Sequence, residues 1–356
     1  MTMMNERVRR RIVDSHKTII QTMKMMDDYS AKSLLVFNDN KFLGMITNGD
    51  LQRAIIANKS FDTKIATLIN NSEKKYAHVS DSNEDIKKWM IEVRAEMMPV
   101  MDSVGNLVKV IFWDDLFKEP QEGNREKINI PVVIMAGGLG FRLKPLTNVI
   151  PKPLIPIGEK TILEDIMDQF ESIGCHQFFM SVNYKHELIE YYLATRKHSY
   201  DVSYFLEEKP MGTIGSVSLL KGKINTPFFV SNCDIIIDQD YRDVYEYHKS
   251  KGNDMTVVAA VKSIKIPYGV IETGEDGLMT NLQEKPEQTY MINTGVYLLQ
   301  PELIDEIPEG EFFHITHLIE KVRKRGGKVG CFPVSEHAWK DMGDWNEYLK
   351  MIGLFS

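Results

Sequence analysis

At 356 residues the chain is longer than one ordinary hydrophobic core organises, so two or three domains are expected. With 43% hydrophobic and 26% charged residues it reads as a soluble globular protein rather than a disordered or fibrous one. The net charge of −7 advertises no general affinity for nucleic acid.

Arg7, Arg9, Arg10 and Arg11 precede no apolar stretch, so they do not open a secretory signal. Ile19, Met23 and Met26 share one stripe and predict a helix over residues 18–29. Residues 34–51 then read as a hairpin of two strands leading into a helix. A second helix is predicted over residues 83–93, with Ile86, Trp89, Met90 and Val93 on one face. Residues 99–116 repeat the hairpin and helix. Two copies of so small a unit cannot bury their apolar faces singly and are expected to pack together.

Across residues 8–118 this region resembles a tandem pair of cystathionine-β-synthase (CBS) domains, about 1–60 and 61–120. In that family a Gly-x-h-[Thr/Ser]-x-x-Asp pattern, with h apolar, holds the ribose and phosphate of an adenosine nucleotide. Gly44–Asp50 fits it, which makes Thr47 and Asp50 the implied ligand residues. The second copy has Phe112 in place of the hydroxyl and keeps only Asp115. Helix capping by Asp50 and Asp115 is the other reading, and the residues leave both open.

A polar stretch at 118–129, with Pro120 and Gly123, marks the expected boundary, with 121–129 as linker. Beyond residue 120 the chain is acidic, with 25 Lys/Arg against 33 Asp/Glu, so a phosphate site there must use backbone amides, a few placed cations or a metal ion.

Residues 131–136 form an apolar strand far too short to cross a bilayer, and Gly137, Gly138 and Gly140 follow it. Glycines let the main chain approach a ligand closely, and Arg142 adds a planar fork suited to phosphate. The spacing fits neither a dinucleotide fingerprint nor a Walker A loop. Residues 135–157, MAGGLGFRLKPLTNVIPKPLIPI, resemble the opening motif of the sugar-1-phosphate nucleotidyltransferases, AGGxGxRLxPLT followed by PKPLxPI. The resemblance runs over residues 130–350. It implies that Ala136, Gly137, Gly138, Gly140, Arg142 and Lys152 hold the nucleoside triphosphate, with Arg142 and Lys152 catalytic. Phe141 replaces a hydroxyl residue common in the family.

Further along, helices are expected over 161–173 and 185–193, and strands over 177–183 and 202–206. The alternation implies an α/β fold. The resemblance makes it a Rossmann-like, mostly parallel sheet of glycosyltransferase-A type over residues 130–356, behind the α+β CBS pair. Cys175, Cys233 and Cys331 lie far apart without a CxxC pair, so no zinc site or disulfide framework is expected, and a reducing cytoplasm is.

Glu207 and Gly212 fall in a segment resembling the family's base-reading loop, where uridine- and thymidine-specific members tend to have Gln. A carboxylate suits the neighbouring N1–H and N2–H donors of guanine, which favours GTP. Residues 227–234 end in Asp234, and Trp339-x-Asp341-x-Gly343 brings a second acid. In the family these two aspartates hold Mg²⁺. Asp344 is expected to cap a helix over 345–351. Three shorter matches imply a sugar-phosphate site: Gly269 in YGV, Glu284 and Lys285 in EKP, and Asn293 and Thr294 in NTGxY, with Lys285 on the sugar phosphate. His314 and His317 lack a third ligand and read as surface and helix-start residues.

The reaction implied is transfer of a nucleoside monophosphate, GMP from GTP, to a sugar 1-phosphate. The domain order resembles bacterial guanylyltransferases that act on glucosamine 1-phosphate for legionaminic acid synthesis. Mannose- or heptose-1-phosphate guanylyl transfer, or uridylyl or thymidylyl transfer, are the alternatives. A non-catalytic adenosine-nucleotide sensor is the alternative of another class. A homo-oligomer is expected, with neither nucleic acid nor membrane as partner.

Overall fold

The computed structural model of the chain describes residues 6–69, 74–93, 95–116, 126–196, 198–343 and 345–351. The chain divides into two compact units, Met1–Glu126 and Lys127–Ser356. Residues 117–125, in the expected boundary, lie outside the described residues. The tail of that stretch is part of the second unit: the Ile128 N–H donates to the Ile173 carbonyl at 2.8 Å, and Ile128 packs against the core there.

The first unit contains two three-stranded sheets of one topology. Strand Ile12–Asp14 runs parallel to Ser33–Asn38, which pairs antiparallel with Lys41–Thr47. Strand Ala77–His78 runs parallel to Met97–Met101, which pairs antiparallel with Leu107–Phe112. Val8, Leu35, Phe37 and Met45 from the first copy share a core with Met97 and Phe112 from the second. The Glu96 carboxylate fastens the two copies, accepting from Arg11 at 2.6 Å and from the Lys32 and Ser33 amides at 2.9 and 2.8 Å. Both predicted helices form, as Ile19–Asp28 and Asn83–Val93.

Thr47 and Asp50 have a structural task in this unit. Thr47 is the N-cap of helix Asn48–Ile56, and Asp50 sits three residues in, accepting the Thr47 N–H at 2.7 Å. Asp115 does the same for the Phe112 N–H at 2.8 Å. Asp50 also accepts from Lys74 at 2.6 Å and pairs with Arg53, so its oxygens are engaged inside the unit. Asp50 is therefore the N3 partner of a capping box and not an N-cap itself, while Asp115 makes only the return bond to the Phe112 N–H, since Phe112 has no hydroxyl to complete a box.

In the second unit seven strands lie in the order Asp201–Leu206, Gln177–Val182, Val132–Met135, Phe228–Asn232, Glu287–Leu299, Met255–Lys265 and Val329–Ser335. All neighbours are parallel except Glu287–Leu299, which runs antiparallel to both strands beside it. The sheet is covered on both faces, which is why its central strands are apolar throughout. Val132 and Ile134 pack on one side with helices Ile162–Ser172, His186–Ala194 and Tyr241–Lys251. Val133 and Met135 pack on the other with helix Ile315–Lys324. Helix Ile162–Ser172 begins at a Thr161–Glu164 capping box, and Phe170 stacks on Tyr241 at 4.4 Å. His314 is the N-cap of helix Ile315–Lys324, as its position suggested. Asp344 lies outside the described residues. No described helix is long and apolar enough to cross a membrane.

Val132–Met135 is the first strand of the sheet in chain order and lies inside it, with a parallel neighbour on each side. The chain leaves it first to one side, through Gln177–Val182 and Asp201–Leu206, and then to the other, at Phe228–Asn232. Such a reversal opens a crevice at the carboxyl ends of the strands. The glycine loop starts there.

One buried histidine gives this unit a pH signature. His248 is 1% exposed and hydrogen-bonded to Thr256 and Gln300 at 2.9 and 3.1 Å; burial pushes its pKa down to about 4, against an opposing pull from Asp254. Between about pH 6.5 and 4 the unfolded chain holds a proton here that the folded one lacks, so stability falls as pH falls. The loss across that window is about 3 kcal/mol from this group. Thermal melts against pH are expected to show it, and His248→Gln is expected to flatten the slope.

Candidate active site

A cavity of about 570 Å³ opens over the carboxyl ends of the parallel strands. Its wall includes Gly137, Gly138, Gly140, Arg142 and Lys152 from the loop region, Glu207 and Gly212, and Asp234. Each follows directly from the fold: Glu207 comes after strand Asp201–Leu206, and Asp234 two residues after Phe228–Asn232.

The two aspartates meet through a short ladder. Strand Ile235–Ile237 pairs antiparallel with Trp339–Asp341, setting Ile235 opposite Asp341, and the Met342 N–H donates to the Asp234 carbonyl at 3.0 Å. The Asp341 carboxyl is pushed above the usual carboxylate range by burial and then by the charge of Asp234; the Gly343 N–H, Lys152 and Arg142 oppose this. Lys152 forms an ion pair with Asp234. Two partly buried acids facing each other at the end of a glycine loop suit a hard divalent cation. Such an ion completes its shell with water and phosphate oxygens, so two protein ligands suffice. Among the described residues no cluster of three or more His, Cys, Asp or Glu offers a closed metal cage.

Gly343 leaves room for Arg142 beside Asp341. A Cβ on Gly343 would lie 2.7 Å from Asp341 Oδ1 and 2.8 Å from Arg142 Nη2, so only glycine leaves room for both. The C-terminal helix Trp345–Met351 ties down the segment after Arg142: Trp345 Nε1 donates to the Lys144 carbonyl at 2.8 Å, and Tyr348 Oη to the Pro156 carbonyl at 3.2 Å.

The glycines have separate reasons. Gly138 faces open space, with nothing near its Cβ position, as a main chain exposed to a ligand requires. Gly140 has φ +62°, and its Cβ would press on Thr147. Gly137 leaves room for Glu207, whose Oε1 would be 2.7 Å from a Cβ. Gly212 was expected to let main chain approach the base. Its φ of +80° and the Phe313 carbonyl 2.6 Å from its Cβ position supply a packing reason as well.

Other expected contacts need correction. Ala136 is buried with its N–H given to the Ser181 carbonyl at 2.9 Å, so that amide is not free for phosphate. Thr294 is 2% exposed and donates its hydroxyl to the Val258 carbonyl at 2.8 Å; it fastens neighbouring strands and does not present a hydroxyl to sugar. Gly269 and Glu284 do come together, with Glu284 Oε2 3.2 Å from the Gly269 Cβ position. Lys285 stands 3.9 Å from Glu284 with its side chain 68% exposed. Asn293 is exposed and accepts the Gly295 N–H at 3.1 Å. None of these sugar-side residues lines the described wall of the cavity.

Sequence reading passed over Ser181, Ser216, Asn183 and Phe312. Asn183 and Phe312 line the cavity, while the two serines lie behind Glu207. A lone serine in an apolar strand carries no signal of its own.

A family model described as nucleotidyl transferase matches residues 131–354. The chain belongs to the nucleotidyl transferase family. A CBS-domain model matches residues 3–57, ahead of the nucleotidyl transferase match. This nucleotidyl transferase is 33% identical over 232 residues to the mannose-1-phosphate guanyltransferase of Pichia angusta, a match covering 63% of each chain. It is 32% identical over 231 residues to the mannose-1-phosphate guanylyltransferase catalytic subunit beta of Dictyostelium discoideum, covering 63% of this chain and 64% of that one. The chain thus spans less than two thirds of the length of these relatives. A solved structure from Bacillus anthracis, assigned as a glucose-1-phosphate thymidylyltransferase in complex with sucrose, matches with TM-score 0.51 at 20% identity. It covers 63% of this nucleotidyl transferase and 94% of that chain, a likeness of fold alone.

Proposed function

We propose that the chain transfers GMP from GTP to a sugar 1-phosphate, giving a nucleotide sugar and pyrophosphate. The observation that carries this reading is the convergence of Asp234, Arg142 and Lys152 beside an open glycine loop in one cavity, with Asp341 set next to Asp234 by the short ladder. Both substrates are already ionised near neutrality, so the task is to bring two polyanions together rather than to remove a proton. An oxygen of the sugar 1-phosphate attacks the α-phosphorus in line, and the bond to the pyrophosphate oxygen breaks.

Asp234 and Asp341 would hold Mg²⁺. When bound, it supplies positive charge against the triphosphate. Arg142 and Lys152 act as placed cations on the triphosphate, and the Gly138 main chain lets it approach. Lys152 rests on Asp234 in the free protein, so it is already positioned within reach of the phosphates. Lys285, exposed outside the cavity wall, is assigned to the sugar phosphate together with Gly269, Glu284 and Asn293.

Two observations support guanine as the base. Glu207 is a buried carboxylate at the cavity wall, suited to paired N–H donors. The named relatives are guanylyltransferases. For the sugar, the domain order supports glucosamine 1-phosphate, and the relatives' names favour mannose 1-phosphate as the second reading. The CBS-type unit is assigned as an accessory that binds an adenosine nucleotide beside Thr47 and Asp50. Binding there would have to displace Lys74 or Arg53 from Asp50.

Pyrophosphate release over a panel of nucleoside triphosphates and sugar 1-phosphates tests the proposal. Magnesium-dependent turnover is expected, fastest with GTP. Preference for UTP or dTTP would overturn the base assignment, and no turnover with any pair would favour a sensor. A thermal shift of the full chain with AMP or ATP tests the accessory role.

A further inference from the structure

Ser181 and Ser216 sit on different elements and are both fully buried. Ser181 Oγ donates to Glu207 Oε1 and lies 2.8 Å from Ser216 Oγ. A carboxylate can only accept, so the single Ser181 proton goes to Glu207, and Ser216 must donate to Ser181. The hydroxyls therefore form a directed chain, Ser216 to Ser181 to Glu207. The second Glu207 oxygen accepts the Met211 N–H at 3.3 Å. Its main chain is gripped too, with the N–H on the Val182 carbonyl at 2.9 Å and the carbonyl accepting from Asn183 Nδ2.

Every donor on this carboxylate is neutral, and none of the ion pairs among the described residues includes Glu207. Two donors fill about half of the four lone-pair directions a carboxylate offers. Gly137, whose absent Cβ would lie 2.7 Å from Oε1, keeps the space in front of that oxygen clear. A buried charge with unfilled acceptor sites is costly unless a ligand supplies donors.

We infer that Ser216 and Ser181 form a hydroxyl relay that orients the Glu207 carboxylate toward the base, making Ser181 a positioning residue for nucleotide specificity. This rests on the assignment of Glu207 to the guanine edge. The relay acts through Glu207, so its effect falls on discrimination between bases that differ at that edge. Inosine triphosphate is the suitable probe: it keeps the triphosphate, the ribose and N1–H of GTP and lacks only the 2-amino group.

The experiment compares kcat/KM for GTP and ITP in the full chain, wild type against Ser181→Ala, Ser216→Ala and Glu207→Gln. Wild type is expected to favour GTP by about tenfold or more, as for one lost hydrogen bond to a charged group. Ser181→Ala is expected to bring the ratio to within about threefold of unity, and Ser216→Ala to lower it less. A purely structural defect would depress both nucleotides alike. An equal fall in Ser181→Ala, with the GTP:ITP ratio kept, overturns the relay, while collapse of the ratio in Glu207→Gln shows that the base assignment stands. If wild type does not separate GTP from ITP, or Glu207→Gln leaves the ratio unchanged, the base assignment fails and the relay with it. Should Ser181→Ala not fold, an unchanged ratio in Ser216→Ala overturns the proposal.

Discussion

Replacing Asp234 by Asn is expected to lower kcat for nucleotidyl transfer by ~100-fold or more, the size of a lost electrostatic contact in a preorganised site. Asparagine keeps the shape and the main-chain link in which the Asp234 carbonyl accepts the Met342 N–H. What it removes is the charge that pairs with Lys152 and that, facing Asp341, raises the Asp341 pKa. Lys152 then lacks its resting partner, and one of the two cation ligands becomes a neutral amide. Asp341→Asn should cost a similar factor. The double variant should cost little more than either alone, because residues that act as a unit are not additive. Steady-state pyrophosphate release at several Mg²⁺ concentrations checks this, with melting curves to show that the fold is kept. Near-normal turnover in Asp234→Asn would remove the aspartate pair from the mechanism.

A second large effect comes from a single methyl group. Gly343→Ala places a Cβ 2.7 Å from Asp341 Oδ1 and 2.8 Å from Arg142 Nη2, closer than such atoms can remain. The atoms that must yield are the ends of side chains, so the structure can relax around the methyl. The thermal midpoint is expected to move by no more than a few degrees. Relaxation requires the Asp341 carboxylate or the Arg142 guanidinium to leave its position, and displacement near 1 Å in a positioned site costs on the order of 100-fold. The variant should therefore lose kcat/KM by about that factor while remaining folded. Wild-type kinetics in Gly343→Ala would show that this packing of Asp341 against Arg142 does not matter to turnover.

Much of the second unit was legible in residue order because its signals are local. The helix predicted over 161–173 forms as Ile162–Ser172 between a Thr161 cap and Gly174. The strand before the glycine loop lies in the interior of the sheet between two parallel neighbours, as its unbroken apolar run requires. Arg142 and Lys152 from one motif and the distant Asp234 from another were grouped by resemblance and do share one cavity. Thr294 was assigned to the sugar by motif resemblance alone, and a motif does not tell which way a hydroxyl points where the strand pairing is bulged. The register with Met255–Lys265 shifts between Val257 and Ala259, next to where Thr294 bonds the Val258 carbonyl.

Residue order by itself determined the family, the two-part organisation of elements and the charged groups available, since these depend on spacing along the chain and on side-chain chemistry. The tertiary structure alone decided which groups face one another. It set Asp341 beside Asp234 through a three-residue ladder, cleared space for Arg142 at Gly343, and placed Ser181 and Ser216 behind Glu207. Those relations depend on strand register and on the absence of single Cβ atoms. Both arise only when segments distant in sequence are packed within a few ångströms of each other.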